Sequence, residues 1–242
     1  MKRIRWFRIF LLFLIIFIII FLYGMLIAAK KFEVHEHKIE SEYITEEYNG
    51  LKIVHISDIH YGTTIKKKHL DKIIKEINSL KPDLVFFLGD LIDYKLSSKQ
   101  HKEIVESFSK LEARLGKYAV SGNHDYYYKK WNELIDEMGF YNLNDTYVEV
   151  YDNSNNSIFL AGISDNLHST KKIEDKSEAI FEYLNNTEPK NNIYNILLIH
   201  EPDYIEKIDY KKFNLVLSGH SHNGQVKLPL IGSIYTPEGS KK

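Results

Sequence analysis

Cysteine is absent from the 242-residue chain, so there is no disulfide framework, no zinc–thiolate site and no thiol nucleophile. Acidic residues are absent from the first 31 positions, which carry six basic ones: Lys2, Arg3, Arg5, Arg8, Lys30 and Lys31. The formal balance of −1 therefore hides a split. Residues 32–242 hold 26 positive and 33 negative charges, a balance of −7. A part that acidic is poorly suited to gripping the phosphates of nucleic acid, and no nucleic-acid partner is expected. There is no internal repeat, and no low-complexity tract apart from one apolar stretch near the N-terminus.

That stretch, Ile9–Ala29, is 21 residues without a charge. As a helix it spans about 31 Å, close to the hydrocarbon core of a bilayer. Ile and Phe fall on every face, which argues against a buried globular helix. Four basic residues precede it and two follow, so the positive-inside rule places the N-terminus in the cytoplasm and everything after Lys31 across the cell membrane. Ile27-Ala28-Ala29 loosely resembles a signal-peptidase site. The apolar run exceeds the roughly 7–15 residues of a signal-peptide core, which favours a retained single-pass anchor. The expected organisation is a basic segment and anchor over 1–31 and one catalytic domain over 32–242.

Beyond the anchor, residues 33–48 alternate loosely and suggest a peripheral strand. Leu51–Ile56, Leu84–Leu88, Tyr118–Val120, Tyr147–Tyr151, Ile158–Ala161, Ile196–Ile199 and Leu215–Leu217 read as short strands. Helical periodicity predicts helices over Lys66–Leu80, around His101–Leu111, near Lys129–Met138 and over Ile173–Leu184. Alternating strands and helices predict an α/β domain with helices covering the sheet faces.

Five polar clusters each follow an apolar strand: Ser57-Asp58-Ile59-His60, Gly89-Asp90, Gly122-Asn123-His124-Asp125, His200-Glu201-Pro202-Asp203 and Gly219-His220-Ser221-His222. In open α/β sheets, ligands bind at the carboxyl ends of the strands. The clusters would gather Asp58, His60, Asp90, Asn123, His200, His220 and His222 at one side. Carboxylate, imidazole and amide donors suit Mn²⁺, Fe²⁺ or Zn²⁺. Seven ligands exceed the needs of one ion but fill two sites if one carboxylate bridges. A pair of ions about 3.5–4 Å apart clamps the attacking and leaving oxygens of phosphoryl transfer. The Asp-x-His and His-x-His spacings are read as extended segments, on which residues i and i+2 face the same way.

The ordered pattern D-x-H, G-D, G-N-H-D, H, G-H-x-H resembles that of the calcineurin-like metallophosphoesterase superfamily, from about Leu51 to Tyr235. The flanking residues, including His200-Glu201-Pro202-Asp203 and Gly-His-Ser-His-Asn-Gly-Gln, are closer to a membrane-attached bacterial branch. That branch includes cell-wall-associated and UDP-2,3-diacylglucosamine pyrophosphatase-like enzymes. The resemblance implies a four-layer α-β-β-α sandwich of two mixed sheets. It also implies one divalent ion on Asp58, His60, Asp90 and His222, and a second on Asp90, Asn123, His200 and His220. His124 would face the substrate, oriented by hydrogen bonding to Asp125, and water activated between the ions would hydrolyse a phosphate ester. The substrate would be a phosphorylated small molecule, a cell-envelope component or a lipid.

Two departures stand out. Asn223 replaces a glycine of the branch pattern, and the chain stops 17 residues after Gln225 where relatives continue, which suggests a truncated second sheet. Several features have two readings. Tyr126-Tyr127-Tyr128 lines a substrate surface or caps the next helix, and Asp165 and His168 reach the site or are ordinary loop residues. Lys66-Lys67-Lys68 is a solvated helix start or a contact for anionic headgroups. His35, His37, His55, His69 and His101 fit no metal pattern. Two rival functions stay open: a lipid-linked pyrophosphatase, whose nucleotide substrate would be cytoplasmic, and a non-catalytic binding protein, which would be expected to have lost ligands.

Overall fold

The computed structural model describes residues 2–26, 28–93, 95–153, 155–165, 172–186, 194–222, 224, 226–228 and 232–240. His168, Asn223 and Gln225 lie outside them. The chain divides into two units, Met1–Lys38 and Ile39–Lys242.

The first unit is built on α1, Lys2–Leu26, followed by a 3-10 turn over Ala28–Lys30. The helix begins inside the basic cluster. Its stretch Ile4–Gly24 has a mean hydropathy of 2.8 and is long and apolar enough to cross a membrane.

The second unit runs β1 (Ile53–Ile56), α2 (Lys67–Leu80), β2 (Leu84–Leu88), α3 (Ser98–Phe108), β3 (Gly116–Val120), α4 (Trp131–Glu137) and β4 (Tyr141–Asn142). It continues with β5 (Thr146–Tyr151), β6 (Ser157–Ile163), α5 (Ile173–Asn186), β7 (Tyr194–Ile199), β8 (Leu215–Leu217), β9 (Val226–Leu228) and β10 (Gly232–Tyr235). One sheet has the order β1-β2-β3-β4 with every pairing parallel. The other has the order β5-β6-β7-β8 and is mixed, because β5 runs antiparallel to β6. The strands β9 and β10 form a separate antiparallel pair.

Period-two side-chain alternation explains the layering. From β2, Val85 and Phe87 pack among α2, α3 and α4, while Leu84, Phe86 and Leu88 pack toward Val150, Ile158, Leu160, Ile196 and Leu198 of the other sheet. From β6 and β7, Phe159, Ala161, Leu197 and Ile199 turn the opposite way, to Ile180 of α5. The result is the expected helix–sheet–sheet–helix sandwich. Every residue of β2 is buried, and each such side chain contributes roughly 1.5–3 kcal/mol.

Local chemistry sets the helix ends. Ser97 accepts the Gln100 N–H and Gln100 answers on the Ser97 backbone, a capping box that starts α3 three residues before the sequence reading placed it. Lys81 takes a left-handed conformation to end α2, and Pro82 prevents its continuation.

The expected strand over residues 33–48 does not form. A 3-10 turn over Glu46–Tyr48 buries Tyr48 instead. Its hydroxyl lies 3.0 and 2.9 Å from the carbonyl oxygens of Val150 and Asn156 and accepts the Asp152 N–H. Ile44 packs on the same core and Glu47 Oε1 accepts from the Asn156 side chain, so residues 39–48 dock through side chains rather than a ladder.

Candidate metal centre

Parallel strands point their carboxyl ends one way, and the loops leaving them continue to pair. After β1 and β2, the N–H groups of Asp58, His60 and Tyr61 donate to the carbonyls of Gly89, Asp90 and Leu91 at 2.9, 3.1 and 2.8 Å. After β7 and β8, Gly219 N–H donates to the His200 carbonyl at 3.0 Å. Between the sheets, Asp165 N–H donates to the Ser121 carbonyl at 3.0 Å. All five clusters foreseen from the sequence leave these strand ends.

The local backbone is not the extended segment expected for the Asp-x-His and His-x-His spacings. Asp58, His60, Asp90, His220 and His222 all have left-handed backbones, with φ of 56°, 45°, 56°, 63° and 46°. Each such residue costs of order 1–3 kcal/mol, and the flanking pairings hold it there. Gly89 permits a close approach: with φ of +92°, a β-carbon on it would sit 2.5 Å from Gly122 N and 2.6 Å from His200 Nδ1.

Three overlapping groups of donor atoms result: Asp58, His60 and His222; His60, Asp90 and His124; and Asp90, His200 and His220. Within each group the atoms lie within 4.8 Å of one another. His60 links the first two groups and Asp90 the last two. Asp90 Oδ2 lies 3.7 Å from His60 Nε2 and 3.3 Å from His200 Nε2, while Asp90 Oδ1 accepts the His124 N–H at 2.9 Å. His222 Nε2 is 3.6 Å from Asp58 Oδ1.

The hydrogen bonds behind the imidazoles fix which nitrogen is available. A carbonyl or carboxylate only accepts, so the facing ring nitrogen carries the proton. His60 Nδ1 donates to Asp93 Oδ1 at 2.6 Å, and His200 Nδ1 to the Leu88 carbonyl at 2.6 Å. His220 Nε2 donates to the Glu238 carbonyl at 2.6 Å. His60 Nε2 and His220 Nδ1 therefore turn lone pairs inward, and His220 Nδ1 lies 3.2 Å from His200 Nε2. Asp58 Oδ1, His60 Nε2 and Asn123 Oδ1 are buried without a hydrogen-bond partner. Inward-facing oxygens and nitrogens with nothing to accept from are a set that divalent cations satisfy.

Electrostatics points the same way. Burial pushes Asp90 up, but His200 and the His124 N–H more than offset it and bring the carboxyl down to about 2. Burial drives His200 down, yet Asp90, aided by Asp58 and Asp165, raises it to about 10. The pocket draws positive charge. Burial lowers His222.

Asp125 does not take the role expected of it. Its carboxylate accepts four backbone N–H groups, from Asp90 at 2.8 Å, Leu91 at 3.0 Å, Ile92 at 3.2 Å and Gly122 at 2.9 Å. Burial and the Asp90 charge push it up, against these donors. It fastens the Asp90 loop to the His124 loop, while His124 Nδ1 lies 3.1 Å from the Asp93 carbonyl and 4.0 Å from Asp93 Oδ1. Replacing Asp125 with alanine strands those four donors and is expected to cost about 3 kcal/mol of stability, measured by urea unfolding.

Asp93 was missed because a lone Asp three residues after Gly-Asp carries no pattern. It backs two of the imidazoles. Asp93→Ala is expected to weaken cation affinity or turnover by about 10–100-fold, read by metal titration and steady-state kinetics.

The remaining candidates divide. Asp165 is buried, with its Oδ1 accepting from the Tyr204 hydroxyl at 2.8 Å. Tyr126 and Tyr127 are exposed beside His124, whereas Tyr128 packs on the α2–α4 core and bonds His101 Nδ1 at 2.7 Å.

Sequence comparisons agree with this geometry. Residues 51–224 match the family model for calcineurin-like phosphoesterase. A transmembrane protein with a metallophosphoesterase domain from Danio rerio is 34% identical over 232 residues, covering 93% of this chain and 52% of its own length. The uncharacterized metallophosphoesterase YkuE of Bacillus subtilis is 32% identical over 222 residues, covering 90% of this chain and 74% of its own. A transmembrane protein with a metallophosphoesterase domain from Bos taurus is 31% identical, covering 88% of this chain and 49% of its own. The chain thus spans about half the length of the two vertebrate proteins. With the family model matched across both sheets and all five clusters, the chain belongs to the calcineurin-like phosphoesterase family, whose members are metal-dependent hydrolases.

Proposed function

We propose that this chain is a membrane-anchored phosphoesterase that works with two divalent cations. The observation that carries the reading is the overlap of three donor groups at Asp90 and His60, next to His124. Asp58, His60, Asp90 and His222 would hold one ion, and Asp90, Asn123, His200 and His220 the other, with Asp90 common to both. The partnerless Asp58 Oδ1, His60 Nε2 and Asn123 Oδ1 support that assignment. When bound, such a pair supplies Lewis acidity toward phosphoryl oxygens and makes a water acidic enough to attack at neutral pH. The mixed oxygen and nitrogen donors suit Mn²⁺, Fe²⁺ or Zn²⁺.

The residues of the chain do the rest. The Asp93 carbonyl orients His124 through Nδ1, so that the imidazole can give a proton to the leaving oxygen or hydrogen-bond the phosphoryl group. Left-handed backbones at five of the seven ligands set their directions before any substrate arrives. The test is to assay the purified chain in detergent, with Mn²⁺, against phosphate monoesters, diesters and a UDP-linked lipid. Hydrolysis of a simple ester supports the reading, and turnover confined to the UDP-lipid replaces it with the pyrophosphatase.

The anchor reading rests on α1 and its charge asymmetry, and places the domain outside the cytoplasm. The natural absence of cysteine makes this easy to check. Lys99 on α3 is 84% exposed and pairs only weakly with Glu103. Lys99→Cys is expected to react with a membrane-impermeant maleimide in intact cells. Labelling only after lysis would place the domain in the cytoplasm.

A further inference from the structure

A polar cavity of about 350 Å³ adjoins the candidate centre, walled by Ser121, Asp125 and Tyr126, which flank Asn123 and His124 in the chain. Two further wall residues, Trp131 and Asp165, are 7% and 1% exposed. The indole Nε1 of Trp131 and Oδ2 of Asp165 are both buried without a hydrogen-bond partner in the protein. One is a donor and the other an acceptor. Buried polar atoms are normally paired, and an unpaired donor and acceptor on one cavity wall call for a ligand that offers both senses of hydrogen bond.

The charge of the wall narrows the ligand. Asp125, Asp145 and Asp165 line it, and none of its described residues is Lys or Arg. That wall offers a second phosphate or a carboxylate no counter-charge. An alkyl chain would leave Trp131 and Asp165 desolvated and unsatisfied. A hydroxyl both donates and accepts, and the amides of Asn132, Asn142 and Asn144, bonded to one another and to backbone N–H groups, keep the same wall polar.

We propose that this cavity is the subsite for the group esterified to the phosphate, and that it takes an uncharged, hydroxyl-bearing group, a sugar or polyol. The inference rests on the phosphoesterase reading, since it presumes a phosphoryl group held beside Asn123 and His124. It sets the substrate class apart from lipid-linked and nucleotide esters.

The experiment compares kcat/KM of the full chain, in detergent with Mn²⁺, for glucose 6-phosphate and for cyclohexylmethyl phosphate, which has the same ring size and no hydroxyls. The expected preference for the sugar ester is at least about tenfold, because a site built to bond hydroxyls rejects the analogue that lacks them. Trp131→Phe removes the indole N–H, and Asp165→Asn turns an acceptor into a donor. Each is expected to cut the preference at least about fivefold, with melting temperature checking the fold. Where one variant fails to fold, the other decides. Equal kcat/KM for the two esters, or a preference that survives in the folded variants, overturns the proposal while leaving the phosphoesterase reading intact. If neither monoester is hydrolysed, the phosphoesterase reading is decided by the wider ester panel above. Calorimetric binding of free glucose then decides the cavity: saturable binding weakened in the variants supports it, and no binding overturns it.

Discussion

Asp90→Asn is expected to abolish cation binding and lower phosphoester hydrolysis by at least about a thousandfold. The reason lies in the two directions its carboxylate serves. Oδ1 is committed to the His124 N–H, so Oδ2 alone faces both His60 Nε2 and His200 Nε2. In asparagine that inward atom becomes an NH₂ group. It would donate to the imidazoles that must bind cations and would carry no charge to neutralise them. The fold should survive, because the backbone N–H of Asp90 still donates to Asp125. Elemental analysis, activity and thermal unfolding together separate this outcome from simple misfolding. Retained metal with retained activity would remove Asp90 from the centre.

His124→Gln is expected to keep both cations and lose about 10²–10⁴-fold in kcat. His124 touches the same cluster as His60 and Asp90, with its ring 5.1 Å from that of His60. Its backbone N–H already serves Asp90, and that bond survives the substitution. If His124 protonates the leaving oxygen, the loss should be larger for alkyl phosphates than for p-nitrophenyl phosphate, whose leaving group needs no proton. Loss of one cation in this variant would instead make His124 a ligand.

Much of this was legible in the sequence because parallel sheets impose a rule. Buried strands read as apolar runs, and the polar residues that follow must sit at their carboxyl ends. Asp58, His60, Asp90, Asn123, His200, His220 and His222 were read as candidate ligands in that way. Apart from Asp93, most of what the sequence did not reveal was held by backbone. The carbonyls of Leu88 and Glu238 orient His200 and His220, and any residue type supplies a carbonyl. The left-handed turns at Asp58, His60, His220 and His222 were invisible for a similar reason, since none of these residues is glycine. Asp125 was misread because sequence adjacency to His124 suggested a contact. The chain turns there into a 3-10 helix, Asp125–Tyr127, and its carboxylate points to the β2 loop instead. Short elements such as β4, two residues long, fall below any periodicity signal. The strand expected over 33–48 failed because alternation alone cannot specify a partner.

We propose that these residues hold two divalent cations and that hydrolysis of phosphate esters depends on them. The most direct measurement is the metal content of the purified full chain beside its hydrolysis of p-nitrophenyl phosphate, before and after chelation and after Mn²⁺ is restored. The account predicts about two cations per chain, activity lost with the chelator and recovered with Mn²⁺. A folded chain that binds no cation, or turnover indifferent to its removal, would contradict it.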